Sequence, residues 1–273
     1  MTALRFTLTD APKQRIDVSP LVPDALAGKT VAEIGAIPLQ TGNRQMPAGE
    51  LFTISGDDTR HIVFTGTTGK LDSIGKAMTQ GLIEVEGDAG SYLAMQLKGG
   101  EIRVSGSIDA YGACEMRNGT VVIQGNAGDF LGACLPGNKK GMMGGVVIVK
   151  GNTGSRTGDH MRRGAILIEG NAGDYLGSRM TAGTIAVLGS TGRHIGYAMG
   201  RGTLLLAQAP AQIPPTFNDC GTHTLGFIPL LLKGYASFDT PFASLSDRLK
   251  RVRRYAGDMS GLGKGEILVS VGL

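Results

Sequence analysis

The amino-acid sequence predicts an all-β fold, a right-handed parallel β-helix of about seven to eight turns with about 19 residues in each turn. Three observations support this prediction. A glycine-rich phrase recurs at nearly constant spacing, an alternating apolar pattern precedes each copy, and both ends of the chain lack the repeat. The expected divisions are an N-terminal cap at residues 1–60, the β-helix at residues 61–207 and a C-terminal cap at residues 208–273.

The repeated phrase is clearest from Gly125 and from Gly170, where it reads Gly-Asn-Ala-Gly-Asp, then Phe or Tyr, then Leu-Gly. The anchor glycines, which open the seven copies, are Gly66, Gly87, Gly106, Gly125, Gly151, Gly170 and Gly189. Their spacings are 21, 19, 19, 26, 19 and 19 residues. A period near twenty is typical of a solenoid, and the one long spacing indicates that residues 135–141 are inserted as a loop.

Apolar residues stand four and two positions before each anchor glycine, which is the alternation of a β-strand with one face inward. These positions are Ile62, Ile83, Ile102, Val121, Val147, Ile166 and Ile185, and then Phe64, Val85, Val104, Ile123, Val149, Ile168 and Val187. Nine positions before the anchors stand Met78, Leu97, Met116, Met142, Met161 and Met180, each followed three residues later by a glycine. Parallel strands about 4.8 Å apart would stack identical positions into ladders along one axis.

The position between the two inward residues must point outward. It is occupied by Val63, Glu84, Arg103, Val122, Ile148, Leu167, Ala186 and, in one further strand, Leu205. Glu84 and Arg103 are expected to pair across neighbouring strands. The apolar stripe from Val122 onward needs a cover, and we expect the C-terminal segment to cover at least part of it and a partner protein of the same assembly to cover the rest.

Start and stop signals predict the elements of the two caps. The N-terminal cap is expected to contain a strand within residues 1–10, a helix from Ser19-Pro20 to Gly28, a short helix at residues 30–34 and a strand at residues 51–54. The C-terminal cap is expected to contain an amphipathic helix from Thr240 to about Tyr255 and a final strand at residues 266–271.

Composition argues against several classes of protein. The net charge of +4 is too small to require nucleic acid, and no basic run is interleaved with aromatic residues. No apolar run is long enough for a membrane span, and the three cysteines are expected to be reduced thiols, so the expected location is the cytoplasm. The four histidines do not recur at metal-ligand spacing, and no catalytic pattern stands out. Neither a metal site nor a catalytic residue is therefore expected.

The pattern Gly-x-x-Gly-x-x-x-Gly, complete from Gly125, Gly151, Gly170 and Gly189, resembles the β-helical domain at the C-terminus of the glutamate synthase large subunit. The same pattern is shared by the gamma (C) subunit of formylmethanofuran dehydrogenase and of the bacterial formyltransferase/hydrolase complex. Residues 23–29 and 51–56 extend the resemblance to that subunit over nearly the whole chain.

This resemblance implies a non-catalytic subunit of a one-carbon enzyme complex, assembled with alpha, beta and delta subunits. The bacterial complex moves a formyl group from formyl-tetrahydromethanopterin to a methanofuran-type carrier and releases formate, and no cofactor is expected on this chain alone. Arginine outnumbers lysine 16 to 11, a usage associated with high-GC bacteria, which favours this complex over a molybdenum or tungsten formylmethanofuran dehydrogenase. The competing hypotheses are a polysaccharide-active β-helix enzyme and a self-standing spacer or adhesion module.

The candidate site residues form a basic edge. The position after the methionine column holds Lys98, Arg117 and Arg162, the next position adds Arg163 and Arg201, and the inserted loop adds Lys139 and Lys140. Stacked cations repel unless an anion lies along them, because unit charges about 5 Å apart interact by roughly 1 kcal/mol even in water. Since the family's carriers have glutamate-containing tails, we expect this edge to guide such a tail. An acidic partner surface or plain solvation is the alternative.

Overall fold

The structure is a computed structural model that describes residues 2–272, so Met1 and Leu273, at the outer limits of the two predicted caps, lie outside it. The described residues are predominantly β, as predicted. The strands are β1 (Ala3–Leu8), β2 (Ile16–Asp17), β3 (Pro38–Thr41), β4 (Arg44–Pro47), β5 (Phe52–Ser55), β6 (Asp58–Thr67), β7 (Leu71–Asp72), β8 (Leu82–Gly87), β9 (Glu101–Val104), β10 (Thr120–Ile123), β11 (Met143–Val149), β12 (Arg163–Ile168), β13 (Thr184–Val187), β14 (Arg201–Leu206), β15 (Asn218–Thr224), β16 (Arg251–Gly257) and β17 (Lys264–Ser270). The helices are α1 (Pro23–Leu26), α2 (Val31–Gly35), α3 (Ala48–Leu51), α4 (Phe227–Lys233) and α5 (Ser246–Leu249).

One large mixed sheet contains the repeats. Its strand order is β15-β16-β17-β14-β13-β12-β11-β10-β9-β8-β6-β1-β5, and a smaller sheet has the order β4-β3-β2-β7. From β6 to β14 every neighbouring pair is parallel and follows chain order. The register aligns the predicted columns, so that Val121 pairs with Val147 across the insertion and Val147 pairs with Ile166. The prediction that each strand pairs in parallel with its copy in the next repeat is confirmed.

A second line of contacts joins the repeats just after the anchor glycines. Isolated parallel bridges link Ala89, Ile108, Ala127, Thr153, Ala172 and Thr191 in succession. Beside them, the side-chain oxygen of Asn126 accepts a hydrogen bond from the Asn152 backbone N–H at 2.8 Å, and Asn152 accepts one from Asn171 in the same way. These asparagines bond the next copy of their own position, which is one of the two roles expected for them.

Close approach between repeats explains why the anchors are glycines. A β-carbon on Gly170 would lie 2.5 Å from the carbonyl oxygen of Gly151, the anchor of the preceding repeat. Real β-carbons do not approach so closely, and the backbone of the preceding repeat cannot yield without disturbing its own hydrogen bonds. Gly170 is therefore required by the absence of a side chain, since its φ lies outside the left-handed region.

The C-terminal segment corrects one prediction. No helix runs from Thr240 to Tyr255: α5 is only four residues long, and strand β16 follows it and pairs antiparallel with both β15 and β17. A 3.6-residue period placed Val252 on a helical face, but the local alternation is that of a strand, with Val252 buried between exposed Arg251 and Arg253. The backbone hydrogen bonds offered by β17 decide this conformation.

The outward apolar stripe is covered by this C-terminal segment, as predicted. Leu167 and Ala186 are fully buried in a cluster that includes Ile228 and Leu232 from α4. Phe242, from the turns before α5, also belongs to this cluster and is fully buried. The cluster is separate from the main core, so the strands of the later repeats are buried on both faces.

The N-terminal segment agrees with the sequence except at one helix. Strand β1 lies in the main sheet, β5 follows close to its predicted place, and Thr30 caps α2 by accepting from the Glu33 backbone N–H. The helix expected at Ser19-Pro20 begins instead at Pro23. Ser19 lies in a turn, where its N–H donates to the Asp17 carboxylate at 2.8 Å, so its own side chain caps no helix.

No helix of residues 2–272 has both the length and the apolar character that crossing a bilayer would require.

Candidate functional site

The seven basic residues of the predicted edge are all exposed, but the structure divides them into groups. Arg117 lies one repeat beyond Lys98, because its N–H donates to the carbonyl of Leu97. Met143 occupies the corresponding place in the next repeat, since its N–H donates to the carbonyl of Met116. Arg117 and Arg162 are therefore separated by one intervening repeat, and the predicted continuous column of cations is interrupted.

The inserted loop brings three of the cations together. Arg117, Lys139 and Lys140 line a groove of about 420 Å³, together with Glu115, Gly137, Asn138 and Met143. We call this the loop groove. Arg162 lies beside it, with its Nη2 atom 3.4 Å from the carbonyl oxygen of Lys139. Lys98 and Arg163 do not line the groove, and Arg201 begins a strand two repeats beyond Arg163, where it pairs with Lys264.

Glu115 fixes the position of the loop. Its carboxylate, which is only 7% exposed, accepts hydrogen bonds from the Asn138 side chain at 2.5 Å and the Leu135 backbone N–H at 3.2 Å. It also accepts one from the Gln96 side chain at 2.9 Å. Burial acts to raise the pKa of Glu115, but these hydrogen bonds outweigh burial and hold the pKa below its ordinary value. The loop is thus tied to a carboxylate that stays charged.

The cations of the loop groove are not neutralised by the chain itself. Within residues 2–272, none of the seven predicted site residues has a carboxylate oxygen within 4.0 Å of its charged nitrogens. Arg103, by contrast, pairs with Glu84 at 3.7 Å, which confirms the predicted cross-strand pair. The single carboxylate in the groove, Glu115, is already engaged by three hydrogen bonds. An anionic group from outside the chain would therefore meet three free cations.

A cluster that the sequence did not predict lies where the inserted loop leaves the repeats. The sulfur of Cys134, a carboxylate oxygen of Asp159 and a ring nitrogen of His160 lie within 4.8 Å of one another. Asp159 is 2% exposed and accepts hydrogen bonds from Ser178 at 2.6 Å and from two nitrogens of Arg179 at 2.9 and 2.5 Å.

The ionisation of this cluster follows its burial. Burial raises the pKa of the Cys134 thiol and lowers the pKa of His160. The hydrogen bond to Asp159 is the main reason why the pKa of Arg179 is raised. A sequence signal for the cluster did exist: Cys134 and His160 are 26 residues apart, which is the spacing of the anchors Gly125 and Gly151.

A ladder of aromatic rings follows the corner five residues after the anchor glycines. Tyr92 stacks on Tyr111 with ring centroids 5.3 Å apart, and Tyr111 stacks on Phe130 at 4.7 Å. The guanidinium of Arg156 continues the ladder, 4.6 Å from the centroid of the Tyr175 ring. Each of these residues has a positive φ, so stacking against the next repeat offsets the strain of a left-handed backbone.

The model of the GXGXG motif family matches residues 52–221, which is more than half of the chain. The Fhc gamma (C) subunit of the formyltransferase/hydrolase complex from Methylorubrum extorquens is 40% identical over 269 residues, covering 98% of this chain and 99% of the relative. The corresponding C subunit of molybdenum-containing formylmethanofuran dehydrogenase 1 from Methanosarcina barkeri is 34% identical, but over only 30% of either chain.

A solved structure with the same fold is the crystal structure of the formyltransferase/hydrolase complex FhcABCD from Methylorubrum extorquens with methylofuran. One of its chains superimposes with a TM-score of 0.91 at 38% identity, over 98% of this chain and 99% of that one. The resemblance that rested on the glycine pattern thus extends from end to end. The chain belongs to the GXGXG motif family and, within it, to the family of formyltransferase/hydrolase complex C subunits.

Proposed function

We propose that this chain is the C subunit of a formyltransferase/hydrolase complex and contributes structure, not catalytic residues. The observation that carries this proposal is similarity over the full length to a C subunit of that complex, in both sequence and fold. Formylmethanofuran dehydrogenase C subunits are similar over only about a third of the chain, so that assembly is the weaker candidate.

The repeats would serve as a rigid scaffold. We infer that they wind as a right-handed parallel β-helix closed by residues 1–60 and 208–273. Two lines of parallel contact support this winding, one through strands β6 to β14 and one through the bridges that include Ala127 and Thr153. Ladders on two sides of each repeat are what a wound chain produces, whereas a flat sheet would supply only one.

The assembly that this scaffold supports would contain alpha, beta and delta subunits in the cytoplasm. In such a complex a formyl group passes from formyl-tetrahydromethanopterin to a methanofuran-type carrier and is released as formate. Exposed apolar side chains near the C-terminal end, Leu230 at 77% and Phe227 at 45% exposure, are suited to contact with a partner protein of the assembly.

The loop groove would hold the carrier. Glutamate-containing tails carry repeated carboxylates, and Arg117, Lys139 and Lys140 present three cations that no carboxylate of the described chain pairs with. Because Glu115 fixes the loop, the two lysines need little ordering when an anion binds, which reduces the entropic cost of binding. Lys98, Arg162, Arg163 and Arg201 would extend the basic surface on either side.

Purification of the tagged chain from its own cells tests the proposal. We expect alpha, beta and delta subunits in stoichiometric amounts, together with formyl transfer to a methanofuran-type carrier and release of formate. Iron with molybdenum or tungsten in the purified complex would identify a formylmethanofuran dehydrogenase instead. A chain that purifies alone would refute the proposal and leave a spacer or a polysaccharide-active enzyme.

A further inference from the structure

The cluster of Cys134, Asp159 and His160 contains three different kinds of metal ligand. A sulfur, a ring nitrogen and a carboxylate oxygen lie within 4.8 Å of one another, and none of the three belongs to the lining of the loop groove. The residues come from two neighbouring repeats, because Cys134 and His160 stand at the same distance from their anchor glycines. Stacking of the repeats therefore assembles the cluster and fixes its geometry.

The surroundings of the cluster hold two of its members in place. Ser178 and Arg179 orient the Asp159 carboxylate, and proteins usually orient metal-binding carboxylates with such outer hydrogen bonds. A carboxylate offers about four lone-pair sites, so three donors leave one for a further partner. The His160 backbone is fixed on both sides, because its N–H donates to Ser178 and its carbonyl accepts from Gly141.

We propose that Cys134, Asp159 and His160 bind one zinc-type divalent cation. Thiolate, imidazole and carboxylate together are a donor set that Zn²⁺ accepts, whereas Mg²⁺ and Ca²⁺ prefer oxygen ligands alone. Three protein ligands leave a fourth position for water. A thiolate and a carboxylate balance the two charges of the ion, so the bound site is neutral apart from Arg179.

The position of the cation in the fold gives it a role. Cys134 directly precedes the inserted loop, and the carbonyl of His160 accepts a hydrogen bond from Gly141, the last residue of the loop. A cation that joins Cys134 to His160 would therefore tie the start of the loop to the repeat that receives its end. This cross-link would hold Lys139 and Lys140 in position independently of Glu115.

Metal content of the purified complex tests this site. After equilibration with Zn²⁺ and removal of free ion, we expect Cys134→Ser to lose one zinc equivalent per copy of the chain. His160→Asn should do the same, and asparagine tolerates the positive φ of 58° at this position. Cys220→Ser, which removes an exposed thiol elsewhere, is the matched control and should retain the ion.

Cobalt supplies a second measurement that does not depend on a variant folding. Co²⁺ added to the wild-type complex should give a thiolate-to-cobalt absorption band, and this band should disappear in Cys134→Ser but persist in Cys220→Ser. Ser178→Ala, which removes an outer hydrogen bond, should weaken metal affinity about 10- to 100-fold. Equal zinc content in the wild type and Cys134→Ser, or no Cys134-dependent cobalt band, would overturn the proposal.

Discussion

The side-chain methyl of Met142 lies 2.9 Å from the place that a β-carbon on Gly164 would occupy, so the methionine of one repeat fills the space left by the glycine of the next. The same relationship joins Met161 to Gly183 at 2.9 Å. The methionine column and the glycine three residues after it are thus one packing unit, which explains why the two recur together in the sequence.

Gly164→Ala should therefore destabilise the chain in two ways. The φ of +96° strains any residue with a β-carbon, and the new carbon would meet Met142 and the carbonyl of Gly145 at 2.7 Å. Gly137→Ala is the matched control, because Gly137 has a φ of +87° but nothing within 4 Å. We expect denaturant unfolding to show a cost of about 1–2 kcal/mol at Gly137 and about 1–3 kcal/mol more at Gly164. Equal costs would refute the packing relationship.

Leucines at two depths of the C-terminal region should respond differently to lysine. Leu167 is fully buried beneath α4, so Leu167→Lys should cost about 3–5 kcal/mol through an unpaired buried charge. Leu230→Lys makes the same change at a side chain that is 77% exposed, and the melting temperature should stay near that of the wild type. If Leu230 contacts a partner, its variant should instead recover less of that partner on co-purification. A wild-type melting temperature for Leu167→Lys would show that the stripe is not covered.

Charge reversal at the basic edge tests the role of the loop groove. Arg117→Glu and Arg162→Glu should raise the apparent KM for the carrier, because each replaces an attraction for a carboxylate tail by a repulsion. Co-purification of the alpha, beta and delta subunits should be unchanged. Arg44→Glu reverses an exposed arginine in β4 and serves as the control. An unchanged KM in an intact complex would leave the cations to plain solvation, whereas loss of partner subunits would indicate an acidic partner surface.

Glu115 should make the stability of the loop depend on pH. Its folded-state pKa is below the ordinary value of 4.5, so the stabilisation is present above pH 4.5 and is lost as the pH falls through the folded-state pKa. Glu115→Gln should therefore melt below the wild type at pH 7, and the difference should shrink towards pH 3. Glu50→Gln, at an exposed carboxylate, is the control. A difference that is constant with pH would mean that the charge of Glu115 does not fix the loop.

The repeating part of the molecule could be predicted from the sequence alone. Seven copies place each Ile, Val and Met in the same setting, so the periodicity predicts the parallel pairing, the inward columns and the outward stripe with its Glu84–Arg103 pair. Each repeat needs only its neighbours to form these contacts, and its neighbours have nearly the same sequence. The same periodicity carried the resemblance on which the family and the proposed function rest.

The parts that lack this repetition depend on tertiary contacts. Residues 251–257 form a strand because β17 offers them hydrogen-bonding partners, although their local pattern also fits a helix. The interruption of the basic column by Met143, and the meeting of Cys134 with His160, both depend on how the chain returns after the inserted loop. Such contacts join residues distant in sequence, and their geometry is fixed by the stacking of neighbouring repeats.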